Sequence, residues 1–157
     1  MRIVILGNSG SGKSTLARRL ASEHDLAHLD LDTLAWLPTS PPRRAPDALA
    51  KLTAFMAAER WVIEGCYADL VAHAATRSTE LVFLNPGVDV CIAHCRARPW
   101  EPHKYASKHA QDANLPMLID WVRGYETRTD ELSLHAHRAL FDGFTGPKRE
   151  QTEAPTT

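Results

Sequence analysis

Three glycines, a lysine and three serines near the start of the chain have a spacing suited to binding phosphate groups. The segment reads Gly7-Asn8-Ser9-Gly10-Ser11-Gly12-Lys13-Ser14. Glycines allow successive backbone N–H groups to turn inward around an anion, and the N-terminus of a following helix favours negative charge. Lys13 would reach the β- and γ-phosphates of a nucleotide, Ser14 would place its hydroxyl on Mg²⁺, and Thr15 would seat the helix or contact an α-phosphate. We therefore expect the segment to bind ATP with magnesium.

The sequence on either side of this segment supports the interpretation. Residues 2–6 form a β-branched apolar run that predicts a buried strand. After the glycines, Leu16, Ala17 and Leu20 recur at helical spacing and predict an amphipathic helix over residues 13–24. The alternative is a glycine-serine turn that precedes Lys-Ser by chance, and a strand before it with a helix after it argues against that.

Carboxylates follow two of the other predicted strands. Asp30 and Asp32 lie two residues apart at a strand end, so they would point the same way if the strand continues. We predict that Asp32 accepts the proton of an attacking hydroxyl, and that Asp30 and Glu64 hold magnesium, together with Ser14. The alternatives are that the aspartates only close the strand and cap a turn, and that Glu64 is a glutamate at the surface.

Arginines are predicted to act on the transferred phosphoryl group. Arg96 and Arg98 end a predicted helix and precede a basic segment, residues 99–112, which we interpret as a lid. The alternative is a solvated helix end whose cations complement the helix dipole.

Other groups carry weaker hypotheses. Arg43 and Arg44 would bind an anionic acceptor or face solvent. His135 and His137 could be metal ligands by residue type, but no third ligand accompanies them, so they are expected at the surface. Cys91, His94 and Cys95 share a predicted helical face and form a conceivable metal corner. The three cysteines, which include Cys66, are an odd number without metal-knuckle spacing, so reduced thiols are expected instead.

Apolar runs alternate with helical patterns along the chain, which predicts an α/β fold with a parallel sheet between helices. Strands are expected at residues 2–6, 26–31, 61–63 and 81–84, and a loop at 36–46. Further helices are expected at about 47–59, 88–98, 114–128 and 130–141, with a strand around 139–144 as the alternative to the last. We expect one domain over residues 1–145 and a flexible tail over 146–157.

The composition of the chain argues against several classes of protein. The 157 residues carry 18 basic and 19 acidic side chains, a formal net charge of −1, so no global field favours nucleic acid or an anionic membrane. No apolar run approaches the ~20 residues of a membrane-spanning helix, and the glycine-rich start is unlike a secretory signal. A cytoplasmic protein is expected.

With these residues in view, the chain resembles the small P-loop kinases of the adenylate, shikimate and gluconate kinase type. It is most similar to the adenylate-kinase-like proteins often labelled DNA topology modulation proteins. The likeness covers about residues 1–98 and depends on four motifs. They are residues 7–14, His28-Leu29-Asp30-Leu31-Asp32 followed by Trp36 and prolines, Trp61-Val62-Ile63-Glu64-Gly65-Cys66-Tyr67, and Arg96-Ala97-Arg98. Those relatives usually have aspartate and asparagine where this chain has Glu64 and Cys66.

The resemblance implies a three-layer P-loop fold with a five-stranded parallel sheet in the order 2-3-1-4-5. It also implies an acceptor-binding insert at about 33–60, an arginine-bearing lid, and contact between Asp32 and the acceptor hydroxyl. The function expected is transfer of the γ-phosphoryl group of Mg-ATP to a small molecule or nucleotide. The alternatives are a nucleotide-binding regulatory protein and a polynucleotide 5′-hydroxyl kinase that acts on nucleic acid.

Overall fold

Five parallel strands form the central sheet of the protein, whose computed structural model describes residues 1–39 and 41–156. In chain order they are β1 (Arg2–Gly7), β2 (Ala27–Asp30), β3 (Trp61–Gly65), β4 (Glu80–Leu84) and β5 (Lys148–Gln151). Their order across the sheet is β2-β3-β1-β4-β5, and every neighbouring pair is parallel. The predicted fold and the predicted order 2-3-1-4-5 are confirmed.

The three central strands β1, β3 and β4 are apolar on both faces of the sheet, and they are buried on both sides. Along β1, Ile3 and Ile5 belong to one buried cluster, and Val4 and Leu6 belong to another. Side chains alternate between the faces of a strand, so a continuous apolar run serves two cores at once.

Seven helices surround the sheet in the described part of the chain. They are α1 (Lys13–His24), α2 (Asp32–Ala35), α3 (Ala48–Phe55), α4 (Ala68–Ala75), α5 (Val88–Ala97), α6 (Lys108–Arg123) and α7 (Leu134–Gly143). Helix α1 covers one face of the sheet, whereas α3, α4 and α7 contribute to the core of the opposite face. Helices α5 and α6 bury a third apolar cluster between them. No described helix is long and apolar enough to cross a membrane.

The prediction of a flexible tail over residues 146–157 is wrong for its first part. Residues 148–151 form β5, the edge strand, and pair with β4. Ion pairs fix this strand: Arg138 with Glu150 at 2.8 Å, and Arg149 with Glu80 at 2.5 Å. The sequence of β5 is polar and has no apolar alternation, so local pattern could not reveal it. The alternative strand at 139–144 is also excluded, because α7 continues to Gly143.

Helix α6 begins earlier than predicted. Ser107 caps it, its Oγ accepting a hydrogen bond from the amide of Ala110 at 3.0 Å, and Pro116 lies inside the helix rather than at its start. The Asn114-Leu115-Pro116 signal was therefore wrong as a helix start, because a serine cap outside it nucleates the first turn. The predicted lid, residues 99–112, is consequently a loop followed by the first turn of α6.

The segment predicted as a loop at 36–46 contains a small hairpin. Trp36–Leu37 pairs antiparallel with Arg43–Arg44, and Ser40 between them lies outside the described residues. The hairpin leads from α2 into α3, which packs against α2 and α4.

Candidate functional site: a glycine loop beside buried carboxylates

Residues 7–14 connect β1 to α1, as the motif predicts. Gly10 and Gly12 have φ angles of +81° and +98°, in the left-handed region that favours glycine. The ammonium of Lys13 folds back over the loop and donates a hydrogen bond to the carbonyl of Asn8 at 2.8 Å. The amide of Ser11 points to the same carbonyl at 3.2 Å. The loop therefore closes on the carbonyl of Asn8, and the side chain of Lys13 lies across it.

The charge of Lys13 fits a phosphate ligand. The residue is only 9% exposed, and among the described residues no carboxylate lies within ion-pair distance of its ammonium. Close by, the buried Oγ of Ser11 has no hydrogen-bond partner. A nearly buried cation without a counter-ion is costly, and a polyphosphate chain in the loop would supply the missing negative charge.

A carboxylate lies beside the predicted magnesium ligand. Ser14, in the first turn of α1, donates its hydroxyl hydrogen to Oε1 of Glu64 on β3 at 2.7 Å. Glu64 is 2% exposed, so it is not the surface glutamate of the alternative interpretation. The imidazole Nε2 of His28 lies 3.5 Å from the same oxygen.

Asp30 is the register partner of Glu64 across β2 and β3. Burial, followed by repulsion from Glu64 and Asp32, raises the pKa of Asp30 to about 6. Its Oδ1 accepts the amide hydrogen of Asp32 at 2.9 Å, which is also the contact expected of an aspartate that caps a turn. A divalent cation close to this pair would remove the repulsion.

The described residues contain no group of three or more His, Cys, Asp or Glu side chains arranged to hold a metal ion. Magnesium in nucleotide sites takes few protein ligands and keeps phosphate oxygens and water. The hydroxyl of Ser14, with Glu64 and Asp30 acting through water, therefore fits a magnesium ion that arrives with a nucleotide. The chemistry that such an ion supplies is neutralisation of charge on the phosphates.

Asp32 begins α2 directly after β2, and both of its carboxylate oxygens are engaged. The hydroxyl of Tyr67 donates a hydrogen bond to Oδ1, and the ammonium of Lys104 lies 3.0 Å from Oδ2. Tyr67 in turn accepts a hydrogen bond from Nε1 of Trp36 at 2.7 Å. Tyr67 is 3% exposed and so holds its oxygen rigidly, whereas Lys104 belongs to the loop before α6.

These contacts set the ionisation of Asp32. Burial opposes its charged form, but the ammonium of Lys104 and the hydroxyl of Tyr67 outweigh burial and lower the pKa of Asp32. Burial and the neighbouring carboxylate raise the pKa of Tyr67. The pKa of Lys104 is raised as well, because Asp32 and Glu101 outweigh the effect of burial. At neutral pH the site therefore contains a carboxylate, a neutral phenol and an ammonium.

The two predicted arginines have different surroundings. Nη2 of Arg98 lies 3.3 Å from Oγ of Ser9 in the glycine loop, and its Nε lies 3.9 Å from Glu101. Arg96 is exposed on the last turn of α5, and within the described residues it makes no hydrogen bond or ion pair. The structure brings Arg98 into contact with the glycine loop and shows no such contact for Arg96, although both arginines line one cavity together with Glu101.

Sequence reasoning named Tyr67 in the family motif, His94 in the metal corner and Lys104 within the lid, but it predicted none of their contacts at the site. It missed Glu101 and Pro155 altogether. Tyr67 belongs to a motif that carries the family resemblance, but its bond to Asp32 has no local signal. Glu101 connects Arg98 to Lys104, whose ammonium lies 3.4 Å from it. The polar contacts Ser9–Arg98–Glu101–Lys104–Asp32 thus run from the glycine loop to the predicted base.

The end of the chain also contacts the glycine loop. A Cβ atom added to Gly12 would lie 2.6 Å from Cδ of Pro155, and Nη1 of Arg19 on α1 lies 3.5 Å from the carbonyl of Thr156. The segment after β5 therefore packs beside the glycine loop. A flexible tail would have made no such contact.

The weaker hypotheses have mixed outcomes. The guanidinium of Arg44 is paired with Asp69 at 3.0 Å and with Glu131 at 2.6 Å, so it is not free for an acceptor. His137, expected at the surface, is fully buried because it bridges Tyr125 and the carbonyl of Cys66. His135 is exposed as expected.

The conceivable metal corner on α5 is not formed. Cys91 and Cys95 are buried, and His94 turns to the carbonyl of Gly10 instead. All three cysteines are free thiols in the structure, as expected. Burial raises the pKa of the Cys91 thiol to about 11 and that of the Cys66 thiol to about 12, so neither is a reactive thiolate at neutral pH.

Comparison with known proteins shows the fold without naming a family. No protein-family model matches the sequence, and no curated protein does. Among solved structures, the chain is similar to the YorR protein from Bacillus subtilis in complex with phosphorylated GDP, at 10% identity and a TM-score of 0.51, over 96% of this chain and 85% of that one. It is also similar to a sugar kinase from Janibacter sp. HTCC2649, at 16% identity and a TM-score of 0.50, over 94% and 83% of the two chains.

A weaker likeness is to shikimate kinase from Acinetobacter baumannii in complex with shikimate, at 19% identity and a TM-score of 0.47, over 88% of this chain and 89% of that one. The sheet order, the glycine loop between β1 and α1 and the likeness to the two structures above show the fold: the chain has the three-layer α/β fold of the P-loop NTPases.

Proposed function

We propose that the protein is an ATP-dependent kinase that transfers the γ-phosphoryl group of Mg-ATP to a hydroxyl of a small molecule or nucleotide. The observation that carries this proposal is the position of three groups at one edge of the sheet. Lys13, Glu64 and Asp32 follow or end β1, β3 and β2, which are neighbours in the sheet. Ligands of open parallel sheets bind at this carboxyl edge.

In the proposed reaction, the acceptor hydroxyl oxygen attacks the γ-phosphorus and the bond from that phosphorus to the β,γ-bridging oxygen breaks, which releases ADP. The hydroxyl proton passes to Asp32. Lys13 and Arg98 compensate the negative charge of the phosphates, and the predicted role of Arg96 in this step has no support from its exposed position.

The acceptor hydroxyl needs access to a carboxylate oxygen of Asp32. Oδ1 is held by the buried Tyr67, so the acceptor would replace Lys104 at Oδ2. Lys104 retains Glu101 as a partner when it leaves, which limits the cost of the exchange. On this basis we assign the loop 99–107 with the start of α6 to the lid. The assignment of residues 33–60 to acceptor binding rests on the resemblance to the small P-loop kinases.

The more particular likeness to the DNA topology modulation proteins is also a proposal. It rests on Asp30, Asp32, Trp36 and Tyr67, which adjoin one another in the structure. It does not fix the acceptor.

An acceptor screen tests the function. Purified protein with ATP and magnesium is offered nucleotides, sugar acids, cyclitols and oligonucleotide 5′ ends, and ADP release is compared with release in the absence of acceptor. We expect one class to raise the rate, Lys13→Ala to abolish it, and Asp32→Asn to lower kcat by about 10²-fold or more while ATP still binds. Binding of Mg-ATP without acceleration by any acceptor would instead support the regulatory alternative, and transfer to oligonucleotide ends would support a polynucleotide kinase.

A further inference from the structure

His94 contacts the glycine loop from outside. It lies in the second half of α5, and its Nδ1 is 2.7 Å from the carbonyl oxygen of Gly10. A carbonyl can only accept, so Nδ1 carries the hydrogen and donates it. Both the Nδ1-protonated neutral ring and the imidazolium can make this bond.

The hydrogen bond fixes more than one atom because a peptide unit is planar. The carbonyl of Gly10 and the amide of Ser11 belong to the same trans peptide and point in opposite directions. Holding the Gly10 oxygen toward α5 therefore directs the Ser11 amide into the turn, where it now meets the carbonyl of Asn8 at 3.2 Å. Gly10, at φ +81°, lacks the side chain that would otherwise restrict this peptide.

Helix α5 supports the same part of the loop through packing. A Cβ atom on Gly10 would lie 2.3 Å from the carbonyl oxygen of Cys91 and 3.0 Å from Sγ of Cys95. One turn further along, Arg98 reaches Ser9. The apex of the loop thus lies directly against the helix, and His94 supplies the directional contact between them.

We propose that His94 is a positioning residue of the phosphate loop, acting on bound polyphosphate through the Gly10–Ser11 peptide. The proposal rests on the proposed function, because it takes the ligand of the loop to be a nucleotide polyphosphate. Without the imidazole the Gly10–Ser11 peptide loses its directional contact with α5, so the turn closed by the Ser11–Asn8 hydrogen bond is held less firmly in the shape that surrounds the ligand. Loss of the imidazole should therefore lower the affinity for polyphosphate and leave the affinity for the acceptor unchanged.

Three substitutions at position 94 test this role. His94→Leu keeps the bulk and removes the donor, and should raise the Kd of Mg-ATP and of magnesium pyrophosphate about tenfold, the effect of one lost hydrogen bond. His94→Asn places an N–H at the position of Nδ1 and should restore both constants to within about threefold of the parent protein. His94→Gln carries its N–H one bond further out and should resemble His94→Leu. Calorimetry gives the constants.

A merely structural role predicts a different pattern. It would lower the unfolding temperature of all three variants and leave the two Kd values unchanged, and either that result or equal losses in His94→Asn and His94→Leu would overturn the proposal. His135→Leu, which removes an exposed histidine, is the matched control and should bind like the parent.

The binding measurements separate this inference from the function. If the parent protein binds Mg-ATP and pyrophosphate but phosphorylates no acceptor, the kinase fails and the role of His94 is still decided by the variants. If the parent binds neither ligand, both proposals fall. If transfer occurs and His94→Leu binds normally, only the role of His94 is lost.

Discussion

The ammonium of Lys104 lies 3.0 Å from Oδ2 of Asp32, so a cation from the loop before α6 covers the carboxylate that we propose as the general base. On the other oxygen the bond from Tyr67 is buried and fixed. Asp32 is therefore kept ionised by two partners, of which only one can leave easily. Lys104 lowers the pKa of Asp32 and occupies the place that we propose for the acceptor.

Lys104→Met should change the pH dependence of the reaction. Lys104 lowers the pKa of Asp32, so its removal raises that pKa and a larger fraction of the base is protonated in acid. A general base works only when it is deprotonated, so the acid limb of kcat/KM should move to higher pH. Lys108→Met, which removes an exposed lysine paired with Asp112 at 3.2 Å, should leave the limb in place. If the acid limb lies at the same pH in both variants, Lys104 does not affect the ionisation of the base.

Glu64→Gln should weaken the use of magnesium. The 2.7 Å contact with Ser14 orients the hydroxyl that we expect on the ion, and glutamine keeps the shape but loses the charge. The Mg²⁺ concentration for half-maximal turnover should rise about tenfold or more, as it does when a residue that orients a metal ligand is lost. Glu59→Gln changes an exposed glutamate and serves as the control. An unchanged magnesium titration would count against the predicted metal role of Glu64.

Features carried by local sequence were predictable. The apolar residues before Gly7 predict a strand, and the apolar residues at helical spacing after Lys13 predict a helix. The structure has β1 and α1 at these positions. Ser14 and Glu64 were also expected to meet, because the carboxyl ends of parallel strands lie at one edge of the sheet.

Contacts between distant parts of the chain were not predictable. Lys104 and Asp32 come from different loops, and nothing near either residue signals the other. The motif Arg96-Ala97-Arg98 does not distinguish its two arginines, although α5 ends between them and only Arg98 contacts Ser9. The strand β5 had no apolar pattern because its stability comes from pairing with β4 and from ion pairs.

Deletion of residues 148–157 should destabilise the fold. It removes an edge strand, leaves the backbone groups of β4 unpaired and breaks the pair between Arg138 and Glu150. We expect the melting temperature to fall by about 5 °C or more, which corresponds to roughly 2 kcal/mol in a domain of this size. Deletion of 152–157 alone keeps β5 and should change the melting temperature little, while weakening ATP binding through the lost contact of Pro155 with Gly12. Equal melting temperatures for the longer deletion and the full chain would contradict a stabilising role of β5.

His137 should make stability depend on pH. Its Nδ1 lies 2.7 Å from the hydroxyl of Tyr125, and its Nε2 lies 2.7 Å from the carbonyl of Cys66, which precedes Tyr67. Burial lowers the pKa of His137 from its ordinary value of 6.5 to about 4, so the folded protein keeps the ring neutral. Between these two pKa values the unfolded chain binds more protons, and the free energy of unfolding should decrease as pH falls from 6.5 to 4, by up to about 3 kcal/mol.

Asp30 contributes with the opposite sign over part of this range. Its pKa is raised in the folded protein from 3.8 to about 6, so the folded state binds more protons there and gains stability as pH falls. The measurement is the free energy of unfolding in urea as a function of pH, from pH 7 to 4. Its slope is compared for the parent protein, His137→Gln and Asp30→Asn. His137→Gln should lose the decrease toward acid, whereas Asp30→Asn should show a steeper one. Parallel curves for the parent and His137→Gln would mean that His137 takes up its proton in the folded protein.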